Sequence, residues 1–391
     1  MAQSSNAGLS NALGWLQDAR QVEMERDLRQ LVDISSHTAH REGVTAVAHR
    51  LATLLGERCT SLSVERTSSE RFGDHVVART PASGSRVLLV GHHDTVFPEK
   101  TFSGYVDDGA LLRGPGVLDM KGGLVVMAYA LAALDHAGVL AKMPIVLVSV
   151  SDEEVGSPEG RTILLPLCDG AKAALVFESG RQKDLIITQR KGTGAVNVTA
   201  KGKAAHAGNL HHEGVNAIWA ISRFIDKAQR LTDYERGMTV NVGRVEGGMG
   251  KNTVPDRALA ELDLRFVSSA DGEHLLSSLK DACHAAATEV PGASVTMTGG
   301  LGRKPLERTA ESVKLYELYR DCATMEGLGG DEAPLLGGGS DANTVAERGV
   351  PAIDGLGPRG KGFHTTDEQV ERFTLLPKTR ALVRALVALL P

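Results

Sequence analysis

Along the first half of the chain, short runs that are apolar at every position alternate with longer stretches in which apolar residues recur every three or four positions. Residues 87–90 (V-L-L-V), 145–148 (I-V-L-V) and 173–177 (A-A-L-V-F) are of the first kind. A strand covered on both faces needs that composition, whereas a strand with one wet face alternates. Residues 24–34 and 44–55 carry helical spacing, with Gly56 as a stop for the second, and residues 124–137 read as a helix closed by Gly138. Strands alternating with helices predict an α/β fold, a mostly parallel sheet with helices on both faces.

From about residue 191 the pattern changes. Residues 195–200 alternate as a strand, 216–231 form an amphipathic helix, 239–245 and 258–266 are strands, 273–287 a helix and 293–298 a last strand. That order, β-α-β-β-α-β, is the ferredoxin-like arrangement. The expected organisation is a parent domain of residues 1–190 and 304–391, with a separate α+β domain of residues 191–303 inserted into it. The returning segment holds a Gly-rich loop at 337–343, a second glycine-flanked loop at 360–364 and a closing apolar helix.

Composition narrows the function classes. The 391 residues suffice for two domains, at roughly 150 residues each. Lys+Arg 43 against Asp+Glu 48 gives a net charge of −5, so no basic field is available to attract nucleic acid. Four cysteines without a C-x-x-C pair indicate neither a disulfide framework nor a thiolate zinc site. The first ten residues lack a basic and then apolar leader pattern. No uninterrupted apolar run reaches about 18 residues, so a cytoplasmic protein without a membrane span is expected.

The chemistry is concentrated where the apolar runs stop. The stretch opened by the 145–148 run ends in Asp152-Glu153-Glu154, the 87–90 run enters His92-His93-Asp94, and the 173–177 run ends on Glu178. Adjacent carboxylates at the mouth of a buried strand repel one another and are costly unless cations neutralise them. The carboxyl ends of strands are where open α/β sheets bind ligands. Five candidate metal ligands result: His92, Asp119, Glu154, Glu178 and His364. Taken singly, a histidine in a loop or an aspartate capping a helix has a plainer reading; the joint pattern favours metal. Imidazole and carboxylate without thiolate suit zinc, manganese or cobalt. Three carboxylates balance two divalent ions once a hydroxide lies between them, and metal-lowered water acidity is what hydrolysis requires.

The runs H-H-D-T-V, G-P-G-V-L-D-M-K-G-G, S-D-E-E-V-G-S, F-E-S-G and G-F-H-T-T-D-E resemble, in order and over nearly the whole chain, the dizinc amidohydrolases that include carboxypeptidase G, acetylornithine deacetylase and succinyl-diaminopimelate desuccinylase. The resemblance implies two zinc ions per chain, with cobalt or manganese as substitutes. It makes Asp119 the bridge, Glu154 and His364 the further ligands of one metal, and His92 and Glu178 those of the other. Asp94 would orient His92, and Glu153 would be the general base. It also implies a cis peptide after Asp119 and a homodimer formed through the inserted domain. His206, in G-K-A-A-H-A-G, would reach the partner subunit's site and help hold the oxyanion.

On the substrate side, Asn252 matches the family's N-x-V/I-P. Arg303 is a candidate for a substrate carboxylate, because a planar guanidinium suits bidentate recognition. The local sequence is G-R-K-P where carboxypeptidase G-like members have R-G-R-P, so Lys304 is an alternative and Arg265 a third. Gly338, Gly339 and Ser340 could offer backbone N–H groups to the same carboxylate or form a plain turn. Gly114-x-Gly116-x-x-Asp119 has an aspartate where a dinucleotide fingerprint needs glycine, His212-Glu213 lacks the second histidine of H-E-x-x-H, and no G-x-S-x-G occurs. The expectation is a metal-dependent hydrolase that releases an amino acid with a free carboxylate, with carboxypeptidase G-like preference for C-terminal glutamate in a folate or peptide. An N-acyl-amino-acid deacylase or dipeptidase is the alternative. A non-catalytic binding protein would lack a ligand or the base, and all six are present.

Overall fold

The computed structural model describes residues 2–390. They form two compact units, one running to Gln189 and resuming over Arg308–Leu335 and from Ser340 onward, the other made of Arg190–Glu307 with Leu336–Gly339. Residues 336–339, expected with the first unit, belong to the second for a specific reason. Lys191 N donates to Leu336 O at 2.8 Å, Arg190 Nη1 to Gly338 O at 3.0 Å and Arg265 Nη1 to Gly337 O at 3.3 Å.

The first unit is α/β. Its six-stranded sheet has the order Ser63–Thr67, His75–Arg79, Ile145–Val150, Arg86–His92, Ala171–Val176, Ala352–Ile353, and helices cover both faces. The last four strands are parallel, as their uninterrupted apolar runs require. The first two join antiparallel; Ser63–Thr67 is an edge strand with a largely exposed, polar composition, so no apolar run announces it. Register levels the strand ends: His92 pairs with Val150, and Val90 pairs with both Val148 and Val176. Two residues past Val90 and Val176 come His92 and Glu178, on the same face because side chains alternate with period two.

The helix Gly122–His136 is buried on every side from Gly122 to Leu134, packed against helices Ala2–Trp15, Asp18–Val32, Arg41–Arg58 and Leu375–Leu389. With the preceding turn it makes a stretch, Val117–His136, long and apolar enough by composition to cross a membrane. Asp119, Lys121 and Asp135 interrupt it, so it is not an uninterrupted apolar run. Its most apolar part is wholly buried, as expected of a helix that meets protein all round. Gly123 permits the helix to start against the sheet, since a Cβ there would lie 2.3 Å from Phe177 O. One polar link ties this helix to the N-terminal layer: Tyr129 Oη donates to Asp27 Oδ2 at 2.7 Å, and Arg58 Nη2 to the same oxygen at 2.9 Å.

The second unit has strands Gly192–Lys201, Thr239–Gly247, Arg257–Phe266 and Ser294–Leu301, and helices Ala217–Gln229 and Ser269–Glu289. All its strand pairs are antiparallel, with Gly192–Lys201 and Arg257–Phe266 in the centre. Alternate residues, among them Val196, Val198, Ala260, Leu262 and Leu264, join Phe224 and Leu279 of the helices in a separate core. Asn216 and Ser268 cap the two helices, accepting from Trp219 N at 2.9 Å and Asp271 N at 3.1 Å.

The Tyr129 link generates a prediction. Tyr129→Phe removes one donor from a buried carboxylate while preserving ring volume, and should destabilise the first unit by about 1–3 kcal/mol in urea denaturation; an unchanged midpoint would show that Asp27 is satisfied by its arginines alone.

Candidate metal centre

The parallel strand ends supply two ligands directly. His92 ends its strand and Glu178 follows Val176 by two residues. Glu154 lies in a short turn, Glu153–Val155, after Ile145–Val150. Asp119 sits in an irregular turn, Val117–Lys121, that leads into the core helix, with extended-region φ/ψ of −118°, 91°. The Asp119–Met120 peptide is cis, the isomer the resemblance implies. His364 comes from a loop in the left-handed region, φ 63°, two residues after Gly362 at φ 82°. A Cβ on Gly362 would lie 2.5 Å from Asp367 O, so this turn requires glycine.

These five side chains form two triads that share Asp119: His92, Asp119 and Glu178, and Asp119, Glu154 and His364, with the potential ligand atoms of each within 4.8 Å of one another. His92 Nε2 is 3.6 Å from both Asp119 Oδ1 and Glu178 Oε2, while His364 Nε2 is 3.4 Å from Asp119 Oδ2 and 3.1 Å from Glu154 Oε2. Asp119 thus turns one oxygen to each imidazole. Asp119 Oδ1, Glu154 Oε1 and Glu178 Oε1 are buried without a hydrogen-bond partner. Buried acceptors left in that condition are costly; a cation in each triad would satisfy them, so the donor set fits two divalent ions held by nitrogen and oxygen.

Asp94 organises the other side of these groups. Its carboxylate faces His92 Nδ1 at 3.3 Å, and its backbone oxygen lies 3.1 Å from the same nitrogen. This puts the neutral ring's proton on Nδ1 and the lone pair on Nε2. Asp94 Oδ1 and Oδ2 also accept from Glu153 N at 3.1 Å and Glu154 N at 3.2 Å, and Thr38 Oγ1 donates to Oδ2 at 2.7 Å. Thr38 went unnoticed in the sequence, where nothing links it to a carboxylate 56 positions on. His93 is buried away from the ligands, between Ser149 Oγ at 2.8 Å and Asp74 O at 3.0 Å, and burial pushes its imidazole down to about 3.

Electrostatics follow from the crowding. Asp119 and Glu154 push the His364 imidazole up to about 10. Burial lowers His92, but Glu178, Asp119 and Asp94 outweigh it and carry it well above its ordinary value. Burial pushes Glu178 up to about 7 and raises Glu154. For Asp119, burial acts upward, and the two imidazoles prevail, holding it below the carboxylate range.

The remaining candidates lie elsewhere. His206 and Asn252 are in the second unit, brought together by a two-stranded pair: His206 opposes Thr253, and Ala207 N donates to Asn252 O at 3.0 Å. His206 Nδ1 accepts from Gly208 N at 3.2 Å and Asn209 N at 3.1 Å, which leaves Nε2 as the protonated donor. Arg303 and Lys304 follow the strand Ser294–Leu301, where Thr193 N donates to Arg303 O at 2.9 Å. Arg265 forks onto Asp263 at 2.8 and 3.0 Å, which occupies the geometry a substrate carboxylate would need. Gly338 and Gly339 belong to the second unit and Ser340 to the first. Ser340 N donates to Asn343 Oδ1 at 3.0 Å in a capping box, and its hydroxyl donates separately to Asp354 Oδ2 at 2.6 Å.

Residues 88–389 match the profile of Peptidase family M20/M25/M40. The chain is 27% identical over 372 residues to carboxypeptidase G2 of Pseudomonas sp. (strain RS-16), covering 93% of this chain and 88% of that protein. Its fold is similar to that of aminopeptidase PepT from Bacillus cereus, with a TM-score of 0.77, 23% identity and coverage of 94% and 99% of the two chains. It is likewise similar to the YXEP protein of Bacillus subtilis, described as a dinuclear metal-binding peptidase, with a TM-score of 0.72, 15% identity and coverage of 95% and 99%.

Metal binding requires neutral imidazoles. Raised values mean that both His92 and His364 hold a proton at neutral pH before metal arrives, so acid competes with metal. Adding about two equivalents of Zn2+ to metal-free protein near pH 7 in weak buffer should release at least about two protons per chain, from the two imidazoles and in part from Glu178, with affinity falling as the pH is lowered. Release of none, read with an indicator dye, would mean the imidazoles are already neutral.

Proposed function

Because the chain belongs to Peptidase family M20/M25/M40, we propose that its first unit holds two zinc ions and hydrolyses an amide to release an amino acid with a free α-carboxylate. The carrying observation is the pair of triads sharing Asp119, with their orphaned carboxylate oxygens. His92, Asp119 and Glu178 would hold one ion, and Asp119, Glu154 and His364 the other. When bound, the ions supply Lewis acidity and lower the pKa of water towards about 7.

The chain's own groups do the rest. Glu153 is the general base, taking a proton from the attacking water and returning it to the leaving nitrogen. Its backbone is fixed by the same Asp94 that orients His92, so base and ligand keep one frame. His206, with Nδ1 occupied by two backbone donors, presents Nε2–H as a donor for the oxyanion. Arg303 or Lys304 takes the substrate's carboxylate.

A C-terminal glutamate in a folate or peptide is the lead substrate, supported by the motifs and by similarity to carboxypeptidase G2. An N-acyl-amino-acid deacylase or dipeptidase is the second reading, since it would use the same metal chemistry. A panel of folyl-glutamate, acetylated amino acids and dipeptides on zinc-loaded protein separates the two, and no turnover of any would overturn both.

Two copies are proposed to pair through the second unit. Strand Thr239–Gly247 is an edge of its sheet, and Trp219 (53% exposed), Val245 (51%) and Met249 (89%) leave apolar surface on the same unit.

Two predictions test the assignment. Glu153→Gln should keep both metals yet lose turnover by on the order of 10²-fold or more; near-normal kcat would put the base elsewhere. If His206 serves the neighbouring copy, Glu153→Gln and His206→Ala are each nearly inactive, but a mixed dimer holds one site with both groups intact. Co-refolding equal amounts should restore about a quarter of wild-type activity. Mixed dimers as inactive as their parents would exclude action across the dimer.

A further inference from the structure

Glu368 is wholly buried, and it ends the loop that carries His364. Its Oε1 accepts from Leu118 N at 2.8 Å and Asp119 N at 2.9 Å, and its Oε2 from Gly116 N at 3.0 Å. One side chain therefore satisfies three backbone donors in the irregular turn that presents Asp119, a turn with no regular ladder of its own to hold it.

The two loops leave the same pair of strands. Gln369–Glu371 runs antiparallel to Leu111–Arg113, with Gln369 opposite Arg113. From Arg113 the chain passes through Gly114 and Gly116, both at positive φ, to Asp119; before Gln369 it comes from the His364 turn. That second turn is closed on itself, with Thr365 N and Oγ1 donating to Gly362 O at 3.0 and 2.7 Å and Glu368 N to Thr365 O at 3.2 Å. Glu368 thus links a self-hydrogen-bonded loop bearing one imidazole to an irregular loop bearing the shared carboxylate, whose side chains meet at 3.4 Å.

Asp94 has the same relation to the opposite wall, where it accepts from Glu153 N and Glu154 N while facing His92. The centre is bracketed by two buried carboxylates, neither of which is in a triad. Each engages the backbone of one ligand segment and is tied to a histidine of another. Both oxygens of Glu368 are acceptors here, so an amide at this position would set an N–H2 group against a backbone N–H whichever way it turned.

We propose that Glu368 is a positioning residue for the metal centre, fixing Asp119 and His364 in one frame through the N–H groups of Gly116, Leu118 and Asp119. The proposal rests on the metal reading of the two triads. It implies an uneven effect: the ion held with His364 depends on both loops that Glu368 joins, whereas the ion held with His92 and Glu178 depends on only one.

The test is Co2+ titration of metal-free protein, followed by visible absorption, for wild type, Glu368→Gln, Glu368→Asp and Asp27→Asn. The last is a control for the loss of an equally buried acid in the N-terminal layer. Wild type should take up two Co2+. Glu368→Gln should bind at least one of them on the order of 10- to 100-fold more weakly, the loss expected when a partner that orients metal ligands is removed, with an altered absorption spectrum at saturation. Glu368→Asp, which keeps the charge but is one methylene shorter, should lie between the two and provides the reading if the amide variant does not fold. Asp27→Asn should lower the denaturation midpoint and leave cobalt affinity and spectrum unchanged. Wild-type cobalt binding in both Glu368 variants, or equal weakening in Asp27→Asn, would overturn the positioning role and leave the metal centre standing. Absence of binding in wild type would instead overturn the metal reading itself.

Discussion

The centre of the first unit accommodates one electrostatic constraint: three carboxylates, from the buried Asp119 and Glu178 and the half-buried Glu154, converge with only two imidazoles among them. Charges taken out of water are costly unless paired. With no metal present, protons partly offset the negative charge: Asp119 and Glu154 push His364 up to about 10, and burial pushes Glu178 up to about 7. The same geometry that drives protons onto these groups makes the cluster a sink for divalent cations. Proton and metal are alternative answers to one excess of negative charge.

Holding such a cluster together requires that the backbone beneath it cannot relax. Three parallel strands end within two residues of one another in register, so side chains at or just past their ends arrive together without long loops. Where the chain is irregular, at Val117–Lys121 and Glu153–Val155, buried carboxylates satisfy the N–H groups that no ladder takes up. The core helix is apolar on all sides for a related reason: it begins three residues after Asp119 and fills the space behind the centre, leaving no wet face.

This division explains what could be read from the chain. Three of the four parallel strands were legible because burial on both faces demands unbroken apolar runs, and the candidates His92, Glu154 and Glu178 were legible because they stand where those runs stop. Ala352–Ile353 is too short to show a run, and Asp119 and His364 lie in loops. The edge strand Ser63–Thr67 was not, since its S-V-E-R-T composition reflects exposure; nor was the helix Ala2–Trp15, whose Ser- and Asn-containing sequence is held by packing on the core helix. Thr38 and Glu368 were missed because their partners are a distant carboxylate and backbone N–H groups, and neither contact leaves a spacing. Glu368 did lie inside the quoted G-F-H-T-T-D-E run; that a glutamate closing a histidine loop is fully buried is the signal that the sequence could not supply. Residues 336–339 were misplaced because a glycine run carries no side chains to declare which core it joins.

The same physics accounts for the asymmetry between chemistry and specificity. Every metal-ligand candidate belongs to the first unit, and most are buried, so substitution there leaves charge uncompensated. His206 and Asn252 belong to the second unit and are exposed, in a strand pair held by backbone contacts such as Ala207 N to Asn252 O. Exposed side chains on a backbone frame can change without disturbing a buried charge balance. A chain of this design can keep its hydrolytic centre and alter what it recognises. Residues 302–305 lie in the second unit, whereas the five candidate ligands and Glu153 lie in the first, so a change in one need not disturb the other.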